Sequence, residues 1–290
     1  MNPSAPRRAG ARLLTALRHE AVLAVVALQY FTRLPVPTLR AFDPAWLNAA
    51  VRYFPLAGLA VGMIGAAVLW LSAQLLPMPV AALLALAATA AATGAFHEDG
   101  LADTFDALGG HVERSRALEI MRDSRIGTYG ALASLFGVLL RWQALAALPP
   151  ALGVCALLCL HPLARAAAAS LMASLPYVRL EDDAKAKPVA QSLPARRLAA
   201  TLALGLAPLA AMLAAVTVWG DAATGGAAWA AYAWPVLAGA AAIGIVRGLC
   251  ARWFRARLGG YTGDTLGACE QLGEAAFLLA ALAVCTALRA

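Results

Sequence analysis

Long apolar segments alternate with shorter polar connections along this chain. Seven of the apolar segments approach or exceed the roughly 20 residues that a helix needs to cross a bilayer core. They cover residues 55–76, 78–96, 128–148, 150–175, 198–219, 227–247 and 265–288. The pattern predicts an all-α fold, a polytopic membrane bundle of about seven transmembrane helices, organised as a single membrane-embedded domain over 1–290.

The composition agrees with a membrane protein, since 62% of the 290 residues are hydrophobic, 13% are charged and the mean hydropathy is +0.71. Such values lie outside the usual range of soluble domains. In the N-terminal segment 1–52, arginines precede an apolar core at 21–28 that is shorter than a span. No small-residue cleavage site follows that core, so we expect an uncleaved helix at the membrane interface rather than a signal peptide. The five cysteines lie scattered in or beside apolar runs and predict no disulfide framework.

Basic residues are confined to alternate connections. Of 23 Lys and Arg residues, 20 fall in four regions, namely 1–52, 97–127, 177–197 and 247–257. The connections that alternate with these regions contain none. Because cytoplasmic loops are enriched in Lys and Arg, this pattern predicts that the N-terminus and every large polar loop face the cytoplasm and that the C-terminus lies outside. A receptor or surface adhesin would need the opposite arrangement.

The polar segment that begins at residue 97 contains four carboxylates within nine residues, Glu98, Asp99, Asp103 and Asp106. If the segment is helical, Asp99, Asp103 and Asp106 share one face, because positions i, i+4 and i+7 fall within about 60° of one another. Like charges on one stripe repel, and a divalent cation relieves that repulsion. Oxygen ligands suit Mg²⁺, or Mn²⁺, better than zinc. The alternative is a solvated helix whose first-turn acids favour the helix dipole.

Two further segments contain candidate anion-binding groups. Arg122, Arg125 and Thr128 surround the glycine-flanked start of the third apolar segment, where two arginines and free backbone N–H groups suit a phosphate. The alternative is an ordinary basic flank of a span. His161 and Arg165 lie inside the fourth apolar segment, where an ionisable group is costly unless it faces a polar cavity or a partner. Arg165 is therefore a functional candidate, with an internal ion pair to one of the carboxylates as the alternative, and Arg141 in the third segment is a weaker case of the same kind. His161 is equally consistent with a satisfied core histidine.

The last apolar segment is preceded by a glycine-rich turn and contains acids of its own. Asp264 near its start is either a helix N-cap or part of an acidic site. Glu270 and Glu274 lie one and two turns deeper, where burying an acid without a partner is expensive, so we expect a second acidic wall of the same cavity, with Thr262 at its edge. Together these features predict a metal- and phosphate-binding pocket in the cytoplasmic half of a helical bundle, suited to phosphoryl or nucleotidyl transfer.

Five ordered motifs make the chain resemble the cobalamin synthase family of adenosylcobinamide-GDP ribazoletransferases. They are FTRLPVP at 31–37, YFPLAG at 53–58, the acidic segment 97–110, MRDSRIGTYG at 121–130 and GYTGDTLGA at 260–268. The resemblance implies the last step of cobalamin assembly, in which α-ribazole or its 5′-phosphate attacks adenosylcobinamide-GDP and GMP leaves. It also implies Mg²⁺ dependence and a place in the bacterial inner membrane.

Residue roles follow from combining the resemblance with the chemistry above. The expected metal ligands are Glu98, Asp99, Asp103 and Asp106. The expected catalytic groups are Asp264, as metal ligand or general base, with Asp106, Arg125 and Arg165. The expected substrate-binding groups are Arg122, Arg125, Thr128, Arg165, His161, Thr262 and Glu270.

The expected partners are the two small-molecule substrates and membrane lipids, not nucleic acid. A homo-oligomer or contact with other enzymes of corrinoid assembly stays open, and so does docking of the corrinoid on the N-terminal helix and the 177–197 loop.

Two other function classes use acidic residues at membranes. CDP-alcohol phosphotransferases share an Asp-Gly start, but Asp103 and Thr104 stand where their motif needs Ala-Arg, and no later G-x3-D-x3-D follows. A cation-coupled transporter needs polar groups along a path through the bilayer. Here the polar groups cluster towards one side, which favours the enzyme.

Overall fold

The computed structural model describes residues 4–39, 43–178, 193–220 and 229–289. Within these ranges the chain is helical and forms no β-strand; one isolated bridge joins Tyr177 to Tyr261. Eleven α-helices are numbered here in chain order: α1 Ser4–Phe31, α2 Pro44–Ala50, α3 Phe54–Ser72, α4 Met78–Thr93, α5 Phe96–Leu108, α6 Arg114–Ile120, α7 Thr128–Ala147, α8 Pro150–Leu171, α9 Ala195–Ala215, α10 Trp234–Leu258 and α11 Gly263–Ala287. The predicted fold class, a polytopic helical bundle, is confirmed.

Six segments of the described chain are helical, long and apolar enough to cross a membrane, and a seventh span is obtained if α4 and α5 count as one broken span. Every predicted apolar segment therefore contains a helix. The N-terminal segment also forms a helix, α1, although its position at the membrane interface stays a prediction.

The second apolar segment ends earlier than its hydropathy suggests, because α4 and α5 meet at a bend of 88°. Gly94 and Ala95 at the bend both adopt left-handed backbone, with φ of 68° and 60°. Glycine tolerates this conformation, and the space that a Cβ on Gly94 would take is filled by the guanidinium of Arg33. The bend therefore ends α4 after 16 residues and redirects the acidic segment as a separate helix, α5.

Helix α5 packs closely against the start of α11. A Cβ on Gly100 would lie 2.8 Å from the carbonyl oxygen of Asp264, and one on Gly267 would lie 3.4 Å from the Cα of Gly100. The two backbones can approach this closely only because both positions lack a side chain. This contact brings the predicted acidic segment beside the predicted second acidic wall.

The hydrophobic core has two clusters of buried side chains, and ionisable residues lie between them in sequence. On α8, the buried residues 152–164 belong to one cluster and 168–171 to the other, with Arg165 between. On α11, Ala268 and Cys269 belong to one cluster and the buried hydrophobic residues of 277–285 belong to the other. Glu270 and Glu274 lie between them. The helices thus enclose a charged layer inside an otherwise apolar bundle.

Candidate active site

The four acids of α5 have different environments, although they share one helix as predicted. Asp99 is exposed, Asp103 and Asp106 are half-buried, and the Glu98 side chain is 22% exposed and approaches Arg141, with 3.6 Å between Oε1 and a guanidinium nitrogen. Asp99 and Asp103 flank Gly100, where the start of α11 packs. The acidic face, defined here as Asp99, Asp103 and Asp264, therefore lies where α5 and α11 meet.

Asp106 uses both carboxylate oxygens within the fold. The backbone N–H of Gly127 donates to its Oδ2 at 2.7 Å, and that of Gly130 donates to its Oδ1 at 2.8 Å. These N–H groups belong to the N-terminus of α7, where the helix dipole favours a negative charge. The carboxylate of Asp106 thus occupies the helix start that the sequence analysis assigned to a phosphate.

Because Asp106 satisfies two otherwise unpaired N–H groups, we expect Asp106→Ala to lower the free energy of unfolding by about 1–2 kcal/mol. Denaturant unfolding of the full chain in mixed micelles measures it. Asp123→Ala is the matched control, since Asp123 pairs with the exposed Arg125 and its loss should lower the free energy of unfolding far less. Equal losses of unfolding free energy in the two variants would contradict the inference that Asp106 connects α5 to the start of α7.

The basic segment before α7 is exposed. The Arg125 side chain is 86% exposed and pairs with Asp123 at 2.6 Å, and this contact lowers the pKa of the Asp123 carboxyl to about 2, mainly through hydrogen bonds from Arg125. Arg122 and Thr128 are exposed as well. The structure therefore does not bring these three predicted phosphate ligands into the buried layer that holds Arg165.

Arg165 lies in that layer and faces the acids of α11, as an intramembrane arginine requires. Its guanidinium contacts Glu270 Oε1 at 3.0 Å, and His97 Nε2 contacts Glu270 Oε2 at 3.0 Å. The side chains of all three residues are at most 3% exposed. Glu270 therefore joins the start of α5 to the middle of α8.

A second set of contacts centres on Glu274, one turn further along α11. Arg141 donates to its Oε2 at 3.0 Å and His161 Nδ1 contacts its Oε1 at 2.6 Å. Arg165 lies 3.9 Å from the same Oε1 and so connects the two sets. The result is one buried network of four helices, α5, α7, α8 and α11, in which each buried charge has an opposite charge nearby.

Sequence alone predicted a place for Glu274 in the second acidic wall and singled out Arg141 as a weaker case of the same kind as Arg165, but it gave His97 no role. The available signal was the cost of a lone charge in an apolar span, which implies a partner for every intramembrane Arg and Glu. His161, whose two interpretations were left open, contacts Glu274 through Nδ1, while its buried Nε2 has no hydrogen-bond partner among the described residues.

Thr262 begins α11. It accepts from the N–H of Thr265 while the Thr265 hydroxyl accepts from the N–H of Thr262, which is a capping box. Its hydroxyl also donates to Oδ2 of Asp264 at 3.3 Å. Thr262, not Asp264, is thus the N-cap, and Thr262 is only 1% exposed.

Several buried polar atoms of the network have no aligned hydrogen bond. They include Nε2 of His97, Nε of Arg165 and Oε1 of Glu270. The 3.0 Å contacts to Glu270 are therefore ion-pair contacts that leave hydrogen-bonding capacity unused. Buried groups of this kind normally have a partner in the protein or in a ligand.

These three side chains line a cleft of about 450 Å³, a volume that includes its open mouth. The walls are almost entirely apolar, and four of the lining residues are aromatic. The full lining is Tyr30, Phe31, Phe54, Phe96, His97, Arg165, Ala168, Ala169, Gly263, Leu266, Gly267 and Glu270.

Within the described residues, no three His, Cys, Asp or Glu side chains are already arranged around a metal position. This is compatible with Mg²⁺, which usually binds through one or two carboxylates together with waters and substrate phosphates. Of the predicted ligands, Asp99 and Asp103 provide carboxylate oxygens outside the buried network. Part of the 177–197 loop, residues 179–192, lies outside the described residues, as do the first residues of the N-terminal segment.

Comparisons with known proteins agree with one family. A family model described as "Cobalamin-5-phosphate synthase" matches residues 23–282. A protein of Leptothrix cholodnii named adenosylcobinamide-GDP ribazoletransferase is 49% identical over 276 residues, covering 93% of this chain and 98% of that protein. A protein of the same name from Shewanella frigidimarina is 42% identical, covering 89% of this chain and 93% of its own length. No solved structure shows a significant match.

Proposed function

Because this chain belongs to the cobalamin-5-phosphate synthase family, we propose that the acidic face and the neighbouring cleft form the active site of an adenosylcobinamide-GDP ribazoletransferase. The chain is a transferase that joins adenosylcobinamide-GDP to ribazole in the final step of cobalamin assembly. The assignment of the activity rests on the family match over residues 23–282. The position of the site is supported by the close approach of Gly100 to the backbone of Asp264.

The transfer is a substitution at phosphorus. A ribose hydroxyl of α-ribazole, or of its 5′-phosphate, attacks the phosphate that is attached to adenosylcobinamide. A new P–O bond forms, the bond between the two phosphates of the GDP group breaks, GMP leaves with the electron pair, and the hydroxyl proton passes to a base. The protein must therefore neutralise a diphosphate, orient the hydroxyl and accept one proton.

Asp99 and Asp103 are the residues we assign to Mg²⁺. When bound, the metal neutralises charge on the diphosphate and on the leaving GMP. Both carboxylates lie beside Gly100 on α5, and neither belongs to the buried network. Glu98 approaches Arg141, and Asp106 holds α7, so we assign these two acids to positioning rather than to the metal.

We assign acceptance of the hydroxyl proton to Asp264. Its half-buried carboxylate lies in the first turn of α11, which packs against α5. The Thr262 hydroxyl donates to one of its oxygens, which limits the orientations that the carboxylate can take. Arg122 and Arg125 are assigned to the outer phosphate oxygens, because both are exposed and carry a fixed positive charge. Arg165 and Glu270 are assigned to the substrate that enters the cleft.

The protein is a multi-pass membrane protein, and its finer location belongs to the proposal. We assign it to the bacterial inner membrane with the acidic face on the cytoplasmic side. The supporting observation is that 20 of the 23 Lys and Arg residues fall in connections on one side of the predicted spans.

Metal dependence tests the proposed site directly. Purified full-length protein in liposomes, supplied with adenosylcobinamide-GDP and α-ribazole, is expected to release GMP and corrinoid product with Mg²⁺. Chelator is expected to lower the rate at least about a hundredfold, because the diphosphate would then be poorly neutralised. Readdition of Mg²⁺ after chelation is the control for protein damage. Full activity in chelator would exclude the metal, and absence of product under every metal would exclude the activity.

A further inference from the structure

The cleft beside the acidic face has an aromatic wall that the phosphate chemistry does not use. Phe31 and Phe54 pack edge to face with ring centroids 4.3 Å apart, and Tyr30 and Phe96 do so at 5.6 Å. Phe31 also stacks on the His97 ring at 5.5 Å with an interplanar angle of 15°. Rings arranged in this way present flat apolar faces and edges to whatever enters the cleft.

The polar side of the same cleft is small and buried. It consists of His97, Arg165 and Glu270, which are at most 3% exposed. Nε2 of His97, Nε of Arg165 and Oε1 of Glu270 have no hydrogen-bond partner in the fold. An occupant with an acceptor atom on its ring could take a hydrogen bond from Nε of Arg165 or Nε2 of His97, whereas an aliphatic occupant could take neither.

We propose that this cleft binds the heteroaromatic base of the ribazole substrate, an inference that rests on the proposed function. That base is a bicyclic benzimidazole ring with one free ring nitrogen, which accepts a hydrogen bond from Nε of Arg165 or Nε2 of His97. The guanine of the other substrate carries several donors and acceptors around its edge. The almost entirely apolar walls suit the ribazole base, whereas most of the polar edge of guanine would lie against apolar side chains.

The position of the cleft agrees with this assignment. Gly263, which lines it, precedes Asp264 in the first turn of α11, and Gly267, which also lines it, packs against Gly100. A base in the cleft therefore lies beside the acidic face, and the attached ribose is held near the phosphorus that its hydroxyl attacks. The cleft would bind and orient one substrate while the acidic face binds the diphosphate of the other.

Gly263 lines the cleft and offers a substitution that narrows it. A Cβ at Gly263 would meet no atom within 4 Å, and neither would one at Gly244 on α10. We expect Gly263→Leu to raise the KM for α-ribazole about tenfold and to change the KM for adenosylcobinamide-GDP less than about twofold. Gly244→Leu is the matched control and is expected to change neither value.

A second variant removes part of the aromatic wall. Phe96 is 42% exposed and lines the cleft, whereas Phe136 on α7 is 56% exposed and does not. Equilibrium binding of α-ribazole alone, measured by calorimetry with protein in detergent, is expected to weaken about tenfold in Phe96→Ala and to be unchanged in Phe136→Ala. This readout needs neither the metal nor turnover.

The outcomes separate this inference from the proposed function. A selective rise in the KM for α-ribazole together with weaker binding supports it. A selective rise in the KM for adenosylcobinamide-GDP would assign the cleft to the other substrate and overturn it, as would unchanged values for both. If wild-type protein formed no product, the proposed function would fail, whereas normal product with unaffected variants would refute only the assignment of the cleft.

Discussion

Asp103→Asn is expected to lower kcat/KM for the transfer at least about a hundredfold while the protein stays folded. Asparagine matches aspartate in size but carries no negative charge, so it binds a divalent cation weakly. Asp103 is half-buried on the face of α5 that meets α11, one turn after Asp99. The rate of GMP release at saturating and at limiting Mg²⁺ measures the effect, and excess Mg²⁺ should restore part of the activity.

Asp43→Asn is the matched control for this substitution. Asp43 caps α2 by accepting from the N–H of Ala45 at 2.9 Å, and asparagine caps helices equally well. The same change of charge should therefore leave the rate within about twofold of wild type. Full activity in Asp103→Asn would remove Asp103 from the metal site while leaving the family assignment intact. A loss that excess Mg²⁺ does not relieve would indicate a role other than metal binding.

Glu274→Gln is expected to lower the free energy of unfolding by about 3–5 kcal/mol, because it leaves the buried guanidinium of Arg141 without its nearest carboxylate. Glu274 is 2% exposed and contacts both Arg141 and His161. Denaturant unfolding in mixed micelles, followed by tryptophan fluorescence, measures the change. Glu119→Gln, which breaks an exposed pair with Arg116, should cost less than about 0.5 kcal/mol.

A double variant distinguishes lost pairing from lost packing. Arg141→Leu combined with Glu274→Leu replaces the two charges by apolar side chains, and such replacements are often close to neutral. The double variant should therefore be more stable than Glu274→Gln alone. If it is less stable, the energetic cost of losing Glu274 comes from its shape or from its contact with His161, not from the charge left on Arg141.

The sequence alone determined the class of the fold and the family. Apolar length predicts helices that cross a bilayer, because every backbone polar group must be satisfied within such a segment. All seven apolar segments contain helices in the structure. The acidic segment was also identified, since four carboxylates beside a long apolar run are unexpected without a function, and it forms the helix that its spacing implied.

Only the tertiary structure decided how the acids divide their roles. Spacing placed Asp106 on the same stripe as Asp99 and Asp103, but spacing along one helix carries no information about the helix that packs against it. The start of α7 meets Asp106 and takes both of its oxygens. The pairing of Arg141 and His161 with Glu274 was equally inaccessible, since more than 100 residues of sequence separate the partners.

The aromatic cleft is another feature that only the tertiary structure decided. Tyr30, Phe54, Phe96 and Arg165 lie on four different helices, and each is an ordinary residue within its own segment. They meet because the left-handed bend at Gly94 redirects α5 and because Gly100 and Gly267 allow α5 and α11 to touch. Hydropathy and local spacing thus determine which segments become helices and which residues carry charge. Contacts between helices determine which of those charges join the buried network and which lie outside it.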